Sequence, residues 1–285
     1  MKVPCRQIAE SIEKLLQKET DALKNRGIQP KLVTFLLDPT PEQQSFVSIK
    51  ERVGKRIGID FELVSLQKLP KQHELNQLIS QYAEDSKTTG IIIQLPLPHE
   101  IDKQELYNKI PPEKEIEGHI TNSHFQFPLS LAVLTGIKYI FSEKTDEAGI
   151  VDFKHDATFF TKVLQNKKVV IAGRGPTGGE PISKTFNELH IKHTLVHSQT
   201  KNPDNIFKEA DIIVTATGKQ IIHAGNIKKD VILLNVGLRK ENNKLKGDYY
   251  EEEIAEIASY YTETPGGLGP LDVLYLYKNV IDAAK

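Results

Sequence analysis

The chain has 285 residues, 39% of them hydrophobic, which predicts about two domains with separate cores. Its 37 basic and 38 acidic residues give a formal net charge of -1, so charge gives no reason to expect nucleic acid or an anionic membrane surface as a partner. The single cysteine, Cys5, excludes a disulfide framework or a cysteine-based metal site within one chain, and no apolar stretch has the length of a signal peptide core or a membrane span. We therefore interpret the protein as cytoplasmic, expect no metal, and expect Cys5 to be a buried or idle thiol.

Short apolar segments alternate with longer amphipathic ones, and this alternation predicts an α/β fold of βαβ units with parallel sheets. The first helix places Ile8, Ile12, Leu15 and Leu16 on one face. The predicted strands are rich in Val, Ile and Leu without strict alternation, as expected of parallel strands covered on both faces. These strands are Lys31–Leu37, Phe61–Leu66, Gly90–Leu95, Lys168–Ala172, Thr194–His197, Asp211–Ala216 and Val231–Val236. The further helices are Gln43–Ile57, Glu74–Glu84, Pro181–Leu189 and Leu271–Ala284.

The strand and helix pattern is interrupted by glycine, proline and polar residues near Glu117–Ser130. We place a domain boundary there, which gives a first domain of residues 1–125 and a second of residues 126–269. The C-terminal helix, residues 270–285, is expected to pack back onto the first domain. The acidic stretch Ser142–His155 is interpreted as a surface insertion without a chemical role.

A glycine-rich turn in the second domain follows a predicted strand and precedes a predicted helix. Gly173, Gly175 and Gly178 have the G-x-G-x-x-G spacing. Residues without a β-carbon let the backbone approach a pyrophosphate, and N–H groups at the start of the helix can hold the anion. The segment therefore indicates dinucleotide binding, although such a turn also occurs without any ligand.

The next predicted strand carries no acidic residue for a ribose 2′-hydroxyl, because it ends in the sequence His197–Lys201. Hydroxyl groups there, together with Arg174 in the glycine turn, suit a 2′-phosphate. This arrangement favours NADP over NAD. The alternative is a solvated polar loop with no role in binding.

Three segments of the first domain carry side chains suited to chemistry. Phe46 and Lys50 are four residues apart on one helix face, Gln94 ends a buried strand, and Glu117 precedes a glycine. Taken singly, each has a purely structural explanation: Lys50 as a solvated helix lysine, Gln94 as a polar residue at a strand end, and Glu117 as a surface carboxylate.

Six segments together resemble the methylenetetrahydrofolate dehydrogenase/methenyltetrahydrofolate cyclohydrolase family in order and spacing, over nearly the whole chain. They are S-F-V-S-I-K, Q-L-P-L-P, K-E-I-E-G-H, G-R-G-P-T-G-G-E-P, H-S-Q-T and T-P-G-G-L-G-P-L-D. The resemblance implies a parallel-sheet folate-binding domain, a Rossmann-like NADP-binding domain, and a homodimer. It also implies oxidation of 5,10-methylenetetrahydrofolate to the methenyl cation with NADP, followed by hydrolysis to 10-formyltetrahydrofolate.

The resemblance further implies roles for individual residues. Lys50 would move a proton while water adds, Gln94 would orient Lys50, and Glu117 would pair with the amidine-like edge of the pterin. Phe46 would stack on the aminobenzoyl group. Further substrate contacts would come from Ile93, Leu95, Pro265, Gly266, Gly267, Leu268 and Gly269. Cofactor contacts would come from Gly173, Arg174, Gly175, Gly178, Ser198 and Leu238.

The chain departs from the family pattern at several positions. Phe46 replaces a tyrosine, Glu115 and Glu117 replace aspartates, and Asn235 replaces the aspartate of D-V-G. These changes leave open a dehydrogenase without cyclohydrolase activity, a non-catalytic protein that binds folate or NADP, and a dehydrogenase for another small substrate.

Overall fold

The computed structural model describes residues 1–142 and 149–285, and within them the predicted alternation of strands and helices is confirmed. The strands are β1 (Lys31–Leu37), β2 (Asp60–Leu66), β3 (Gly90–Ile93), β4 (Val169–Ala172), β5 (His193–Val196), β6 (Ile212–Thr215), β7 (Ile232–Asn235), β8 (Arg239–Glu241), β9 (Lys244–Lys246) and β10 (Tyr260–Tyr261). The helices are α1 (Cys5–Asn25), α2 (Pro41–Ile57), α3 (Gln72–Glu84), α4 (Lys103–Tyr107), α5 (Pro128–Phe141), α6 (Ala157–Leu164), α7 (Gly179–Glu188), α8 (Pro203–Glu209), α9 (Glu251–Ile254) and α10 (Gly269–Ala283). In the described part of the chain, no helix combines the length and apolar character needed to cross a bilayer.

The chain divides into two compact units. The first unit contains Ile12–Pro128 and Val273–Lys285, and the second contains Met1–Ser11 and Leu129–Asp272. The first eleven residues, which the sequence analysis assigned to the first domain, thus belong to the second unit. The reason is backbone pairing, since the Val3 N–H donates to the Tyr261 carbonyl and extends the edge of the sheet at β10. The boundaries of the functional domains stay a prediction.

The first unit is built on a three-stranded parallel sheet in the order β2-β1-β3. Its core includes Phe35, Ile79 and Ile93, all fully buried. Helix α2 begins with a capping box, in which the Thr40 hydroxyl accepts from the Gln43 N–H and the Gln43 side chain accepts from the Thr40 N–H. Because the capping box fixes where α2 starts, it also fixes the directions in which the side chains of this helix point.

The second unit is built on a five-stranded parallel sheet in the order β10-β7-β6-β4-β5. Because all five strands are parallel, the loops after them lie along one edge of the sheet. Crossovers of this kind place ligand-binding loops at that carboxyl edge. The three central strands, β4, β6 and β7, are buried throughout, as the sequence analysis predicted.

Two predicted strands and one predicted helix face differ from expectation. Strands β2 and β5 consist of exposed and partly buried residues, apart from the buried Val196 of β5, because each is an edge strand. Leu15 is 41% exposed, because the buried arc of α1 is centred on Ile12 and Leu16 and Leu15 falls just beyond it. Cys5 is buried as expected, and burial raises the pKa of its thiol to about 12.

Several elements were not predicted. The β8–β9 hairpin turns at Asn242 and Asn243, which both have positive φ, a backbone conformation that asparagine tolerates better than most residues. Helix α5 starts inside the stretch interpreted as a boundary. Of the predicted surface insertion Ser142–His155, residues 143–148 lie outside the described residues.

Candidate active site

Lys50 and Gln94 meet in the first unit. Lys50 lies on α2, and Gln94 directly follows β3 at the carboxyl end of the sheet. The Lys50 Nζ donates to Gln94 Oε1 at 3.0 Å, and the Gln94 Nε2 donates to the Leu95 carbonyl at 3.0 Å. Because the amide N–H is held by the backbone, the amide oxygen points at the amine. The Lys50 side chain is only 12% exposed, so it does not extend into bulk solvent.

Glu117 completes this group. Its Oε1 lies 3.5 Å from the Lys50 Nζ, and its side chain is 18% exposed. The sequence analysis assigned Gln94 to orient the lysine and assigned Glu117 to the pterin, without a contact between Glu117 and Lys50. The structure instead adds a long ion pair to the shorter amide contact, so Lys50 has a neutral and an anionic partner at once.

The loop that carries Glu117 is held by Glu115, which the sequence analysis did not select as a site residue. The buried Glu115 carboxylate accepts the N–H groups of Glu117, Gly118 and His119 at 3.1, 3.0 and 2.9 Å. Gly118 has φ +84, a conformation that favours glycine. Burial and the nearby Glu117 charge raise the pKa of Glu115 to about 7.

The C-terminal part of α10 holds both the lysine helix and this loop. The Tyr277 hydroxyl donates to the Lys50 carbonyl, and the Tyr277 ring lies against Gly54 on α2. Asn279 donates to the carbonyls of Ile116 and Gln126 at 2.8 and 3.0 Å. One helix therefore fixes the backbone on both sides of the Lys50–Glu117 pair.

His119 is a second residue that the sequence analysis missed. Its Nε2 lies 3.8 Å from Glu117 Oε2, whereas Lys50 contacts the other oxygen of that carboxylate, Oε1. The ring makes edge contacts with Tyr107 and Phe127, with centroids 5.4 and 5.6 Å apart. These contacts restrict the imidazole, so Glu117 has the Lys50 amine near one oxygen and an imidazole of fixed orientation near the other.

The predicted substrate contacts of the first unit differ in accessibility. Phe46 is 46% exposed on α2, one turn before Lys50, and its ring is available for stacking. Leu95 is partly buried beside Gln94. Ile93 is fully buried in the core of the sheet because it belongs to β3, so its side chain presents no surface to a ligand.

The glycine turn lies at the carboxyl edge of the second sheet, between β4 and α7. At Gly173, with φ +115, an added β-carbon would overlap the Ala216 carbonyl after β6, so close strand packing requires glycine. At Gly178 it would meet the Ala216 β-carbon at 3.2 Å. At Gly175 it would meet nothing within 4 Å, so this exposed glycine leaves the turn open to a ligand.

Gly179 is the position where packing is tightest, and the G-x-G-x-x-G pattern did not select it. A β-carbon there would overlap the Gly173 carbonyl. Gly179 is the first residue of α7, so its lack of a side chain lets the helix begin directly against the turn. The repeated glycine in T-G-G-E was the signal that could have identified it.

The other predicted cofactor residues surround the same edge. Arg174 and Ser198 are exposed in the loops after β4 and β5. Leu238 is 43% exposed after β7, and its carbonyl lies against Gly218. The loops after β4, β5 and β7 therefore offer a glycine turn, a guanidinium, a hydroxyl and an apolar side chain on one edge.

The segment Pro265–Gly269 also lies in the second unit. Gly266 has φ +101 and lies against the Arg6 guanidinium, and a β-carbon on Gly267 would overlap the Glu263 carbonyl. Pro265 and Gly269 are exposed, whereas Leu268 is 2% exposed. A ligand could therefore contact the backbone of this segment, but not the Leu268 side chain.

The fold and these residues define a class: an α/β protein with a glycine-turn nucleotide site on one sheet and a lysine–glutamine–glutamate group on another. Family models agree, with the tetrahydrofolate dehydrogenase/cyclohydrolase catalytic domain matching residues 3–117 and the NAD(P)-binding domain matching residues 148–285. The chain is 33% identical over 281 residues to the bifunctional protein FolD of Exiguobacterium sibiricum, covering 98% of both chains.

Solved structures give the same result. The bifunctional FolD methylenetetrahydrofolate dehydrogenase/cyclohydrolase of Campylobacter jejuni superposes with a TM-score of 0.87 at 25% identity, over 100% of this chain and 98% of that one. The Trypanosoma brucei methylenetetrahydrofolate dehydrogenase-cyclohydrolase, complexed with NADP cofactor and inhibitor, has a TM-score of 0.78 at 27% identity, over 99% and 96%. The chain belongs to the tetrahydrofolate dehydrogenase/cyclohydrolase family, which confirms the resemblance.

Proposed function

We propose that this protein oxidises 5,10-methylenetetrahydrofolate to 5,10-methenyltetrahydrofolate with NADP and then hydrolyses the product to 10-formyltetrahydrofolate. The observation that carries the proposal is the Lys50–Gln94 contact of 3.0 Å in a chain of this family. A primary amine held by a neutral amide is a group that can give and take a proton.

Lys50 serves the hydrolytic step in this proposal. As water adds to the methenyl carbon, the amine takes one proton from the water and leaves a hydroxyl group on that carbon. The amine then returns a proton to the ring nitrogen as the bond between this nitrogen and the carbon breaks, and the hydroxyl proton is released to solvent as the formyl carbonyl forms. Gln94 keeps the amine in place, since its own N–H is bound to the Leu95 carbonyl. Glu117, at 3.5 Å, balances the charge when Lys50 is protonated.

Glu117 and Phe46 position the substrate. A carboxylate pairs with two neighbouring N–H groups of a pterin, and Glu117 has Oε2 available at the edge shared with His119. The exposed Phe46 ring provides an apolar face for the aminobenzoyl group. Phe46 lacks the hydroxyl of the tyrosine that it replaces in the family pattern, but stacking does not require this hydroxyl.

The carboxyl edge of the second sheet fits NADP. Open space at Gly175 and the start of α7 accommodate a pyrophosphate, and the exposed Arg174 and Ser198 suit a 2′-phosphate. NADP held by these residues would supply the hydride acceptor. The backbone of Pro265–Gly269 contributes to holding the folate, and Leu238 contributes an apolar contact to the nicotinamide nucleotide.

We also propose that the enzyme works in the cytoplasm as a homodimer, and that its product supports purine biosynthesis. These finer statements rest on the family alone. Size-exclusion chromatography with light scattering at two concentrations tests the dimer, and a monomer at both would refute it.

One assay tests the reaction. Purified protein is mixed with methylenetetrahydrofolate and NADP while reduced nicotinamide and methenyl absorbances are followed together. We expect NADPH to form without an equal accumulation of methenyl product. If NADPH forms together with an equal amount of methenyltetrahydrofolate, and that product decays no faster than in buffer, the protein has dehydrogenase activity without cyclohydrolase activity. If no NADPH forms, the proposal is refuted.

The NADP preference has its own test in Arg174→Ala. Because our proposal assigns the guanidinium to the 2′-phosphate, we expect KM for NADP to rise about tenfold while KM for NAD stays unchanged. An unchanged ratio of the two KM values would contradict this role of Arg174.

A further inference from the structure

Asn235, the residue at which the chain departs from the family's D-V-G pattern, lies at a junction of hydrogen bonds. It ends β7 and is 4% exposed. Its Oδ1 accepts from the Thr215 hydroxyl and the Asp248 N–H, each at 2.8 Å. Its Nδ2 donates to the Gly237 carbonyl at 2.8 Å and to the Thr264 hydroxyl at 2.9 Å.

The surrounding groups determine which way the amide points. The Asp248 N–H can only donate, so it requires the amide oxygen, and the Gly237 carbonyl can only accept, so it requires the amide nitrogen. All four hydrogen-bonding positions of the amide are therefore used. A carboxylate at position 235 could not donate to the Gly237 carbonyl.

The two acceptors of Nδ2 are adjacent in sequence to two different segments of the proposed site. Gly237 directly precedes Leu238, which we assign to the cofactor, and Thr264 directly precedes Pro265–Gly269, which we assign to the folate. The packing allows little movement, because a β-carbon on Gly247 would lie 2.7 Å from Asn235 Nδ2 and 2.8 Å from the Thr264 hydroxyl. The Thr264 N–H is held separately by Glu251 Oε1 at 2.9 Å.

We propose that Asn235 is a positioning residue, which places the folate-contacting segment Pro265–Gly269 through the Thr264 hydroxyl and the cofactor-contacting Leu238 through the Gly237 carbonyl. This inference rests on the proposed function. It deepens that function because one amide sets the positions of the two binding segments of the second unit.

The two hydrogen bonds that Asn235 Nδ2 donates can be removed separately. Thr264→Val removes the hydroxyl but keeps the shape, whereas Thr264→Ser keeps the hydroxyl. Asn235→Asp removes the donor to Gly237 but leaves an oxygen to which the Thr264 hydroxyl can donate. Thr194→Val, at an exposed position on β5, is the control for the same change of side chain.

The measurements are KM for methylenetetrahydrofolate and for NADP, together with equilibrium binding of tetrahydrofolate and of NADP to each variant. Loss of one hydrogen bond corresponds to about a 3- to 10-fold change. We expect Thr264→Val to weaken the folate by that factor at unchanged NADP affinity, and Thr264→Ser and Thr194→Val to match the parent. Asn235→Asp should weaken NADP more than folate.

The inference would be overturned if Thr264→Val and Thr264→Ser had equal effects. It would also be overturned if folate affinity and NADP affinity changed by the same factor in Thr264→Val and in Asn235→Asp. Unchanged NADP binding shows that Thr264→Val is folded; if that variant does not fold, Asn235→Asp decides alone. A parent protein without turnover refutes the proposed function, whereas the binding measurements still test the positioning role.

Discussion

Replacing Lys50 by methionine is the most direct test of the site. Methionine keeps an unbranched, largely apolar side chain, so packing along α2 changes little, but the amine is lost. The contacts of 3.0 Å to Gln94 Oε1 and 3.5 Å to Glu117 Oε1 disappear together.

The expected size of the effect follows from these contacts. A positioned general acid or base contributes about 10²–10⁴-fold to a rate, which corresponds to about 3–5 kcal/mol of activation free energy. We therefore expect the cyclohydrolase rate to fall by about that factor. The affinity for NADP should not change, because Lys50 belongs to the first unit and the predicted cofactor residues all belong to the second.

The control is Lys55→Met, the same change on the same helix. Lys55 is 70% exposed and pairs with Glu51 at 2.7 Å, a surface contact worth about 0.3–0.5 kcal/mol. Both variants are assayed for decay of methenyltetrahydrofolate and for NADP binding. A Lys50→Met rate within about threefold of Lys55→Met would remove the catalytic role, since the smallest effect expected of a general base is about 100-fold.

Three further predictions concern packing and charge. Gly179→Ala should abolish NADP binding, because its β-carbon would overlap the Gly173 carbonyl; retained binding in a fluorescence titration would contradict this. Gly54→Ala places a β-carbon 2.6 Å from the Tyr277 hydroxyl, and we expect urea unfolding to show a loss of about 1–3 kcal/mol despite the better helix propensity of alanine. The loss should shrink in a Tyr277→Phe background. Because the pKa of Glu115 is raised from 4.5 to about 7, the folded state holds a proton that the unfolded chain has released, so stability falls as pH rises through that interval, by about 3 kcal/mol from this group. Glu115→Gln should flatten the pH dependence of the urea midpoint, and an unchanged slope would exclude Glu115 as its source.

Much of the fold was predictable because the signals are local. A strand that is buried on both faces, such as Val169–Ala172, can be recognised in the sequence as a short run of apolar residues. The Phe46–Lys50 spacing likewise defines one face of a helix in advance. The exposure of β2 and β5 was not visible, because it depends on which strands lie at the sheet edges.

A contact between candidate site residues was predictable where one motif supplies one group, as at Lys50 and Gln94. It was not predictable where a residue acts through distant backbone. Asn235 was noticed as a departure from a pattern, yet its partners Thr215, Asp248 and Thr264 come from three different segments. No periodicity or spacing brings these together before the sheet has formed.

Glu115 and Glu117 show the limit most clearly, since they are the same residue type two positions apart. In an extended strand they would face the same side, and the sequence gives no reason to separate their roles. The chain instead turns at Gly118, with φ +84, and the Glu115 carboxylate folds back onto the N–H groups of the next residues while Glu117 extends to Lys50. One carboxylate thereby becomes the buried support of the loop, and the other is the group that we propose binds the pterin. The difference between them arises from a single left-handed glycine, so Gly118→Ala should disturb Glu117 and Glu115 together, which folate affinity and the pH dependence of unfolding would both report.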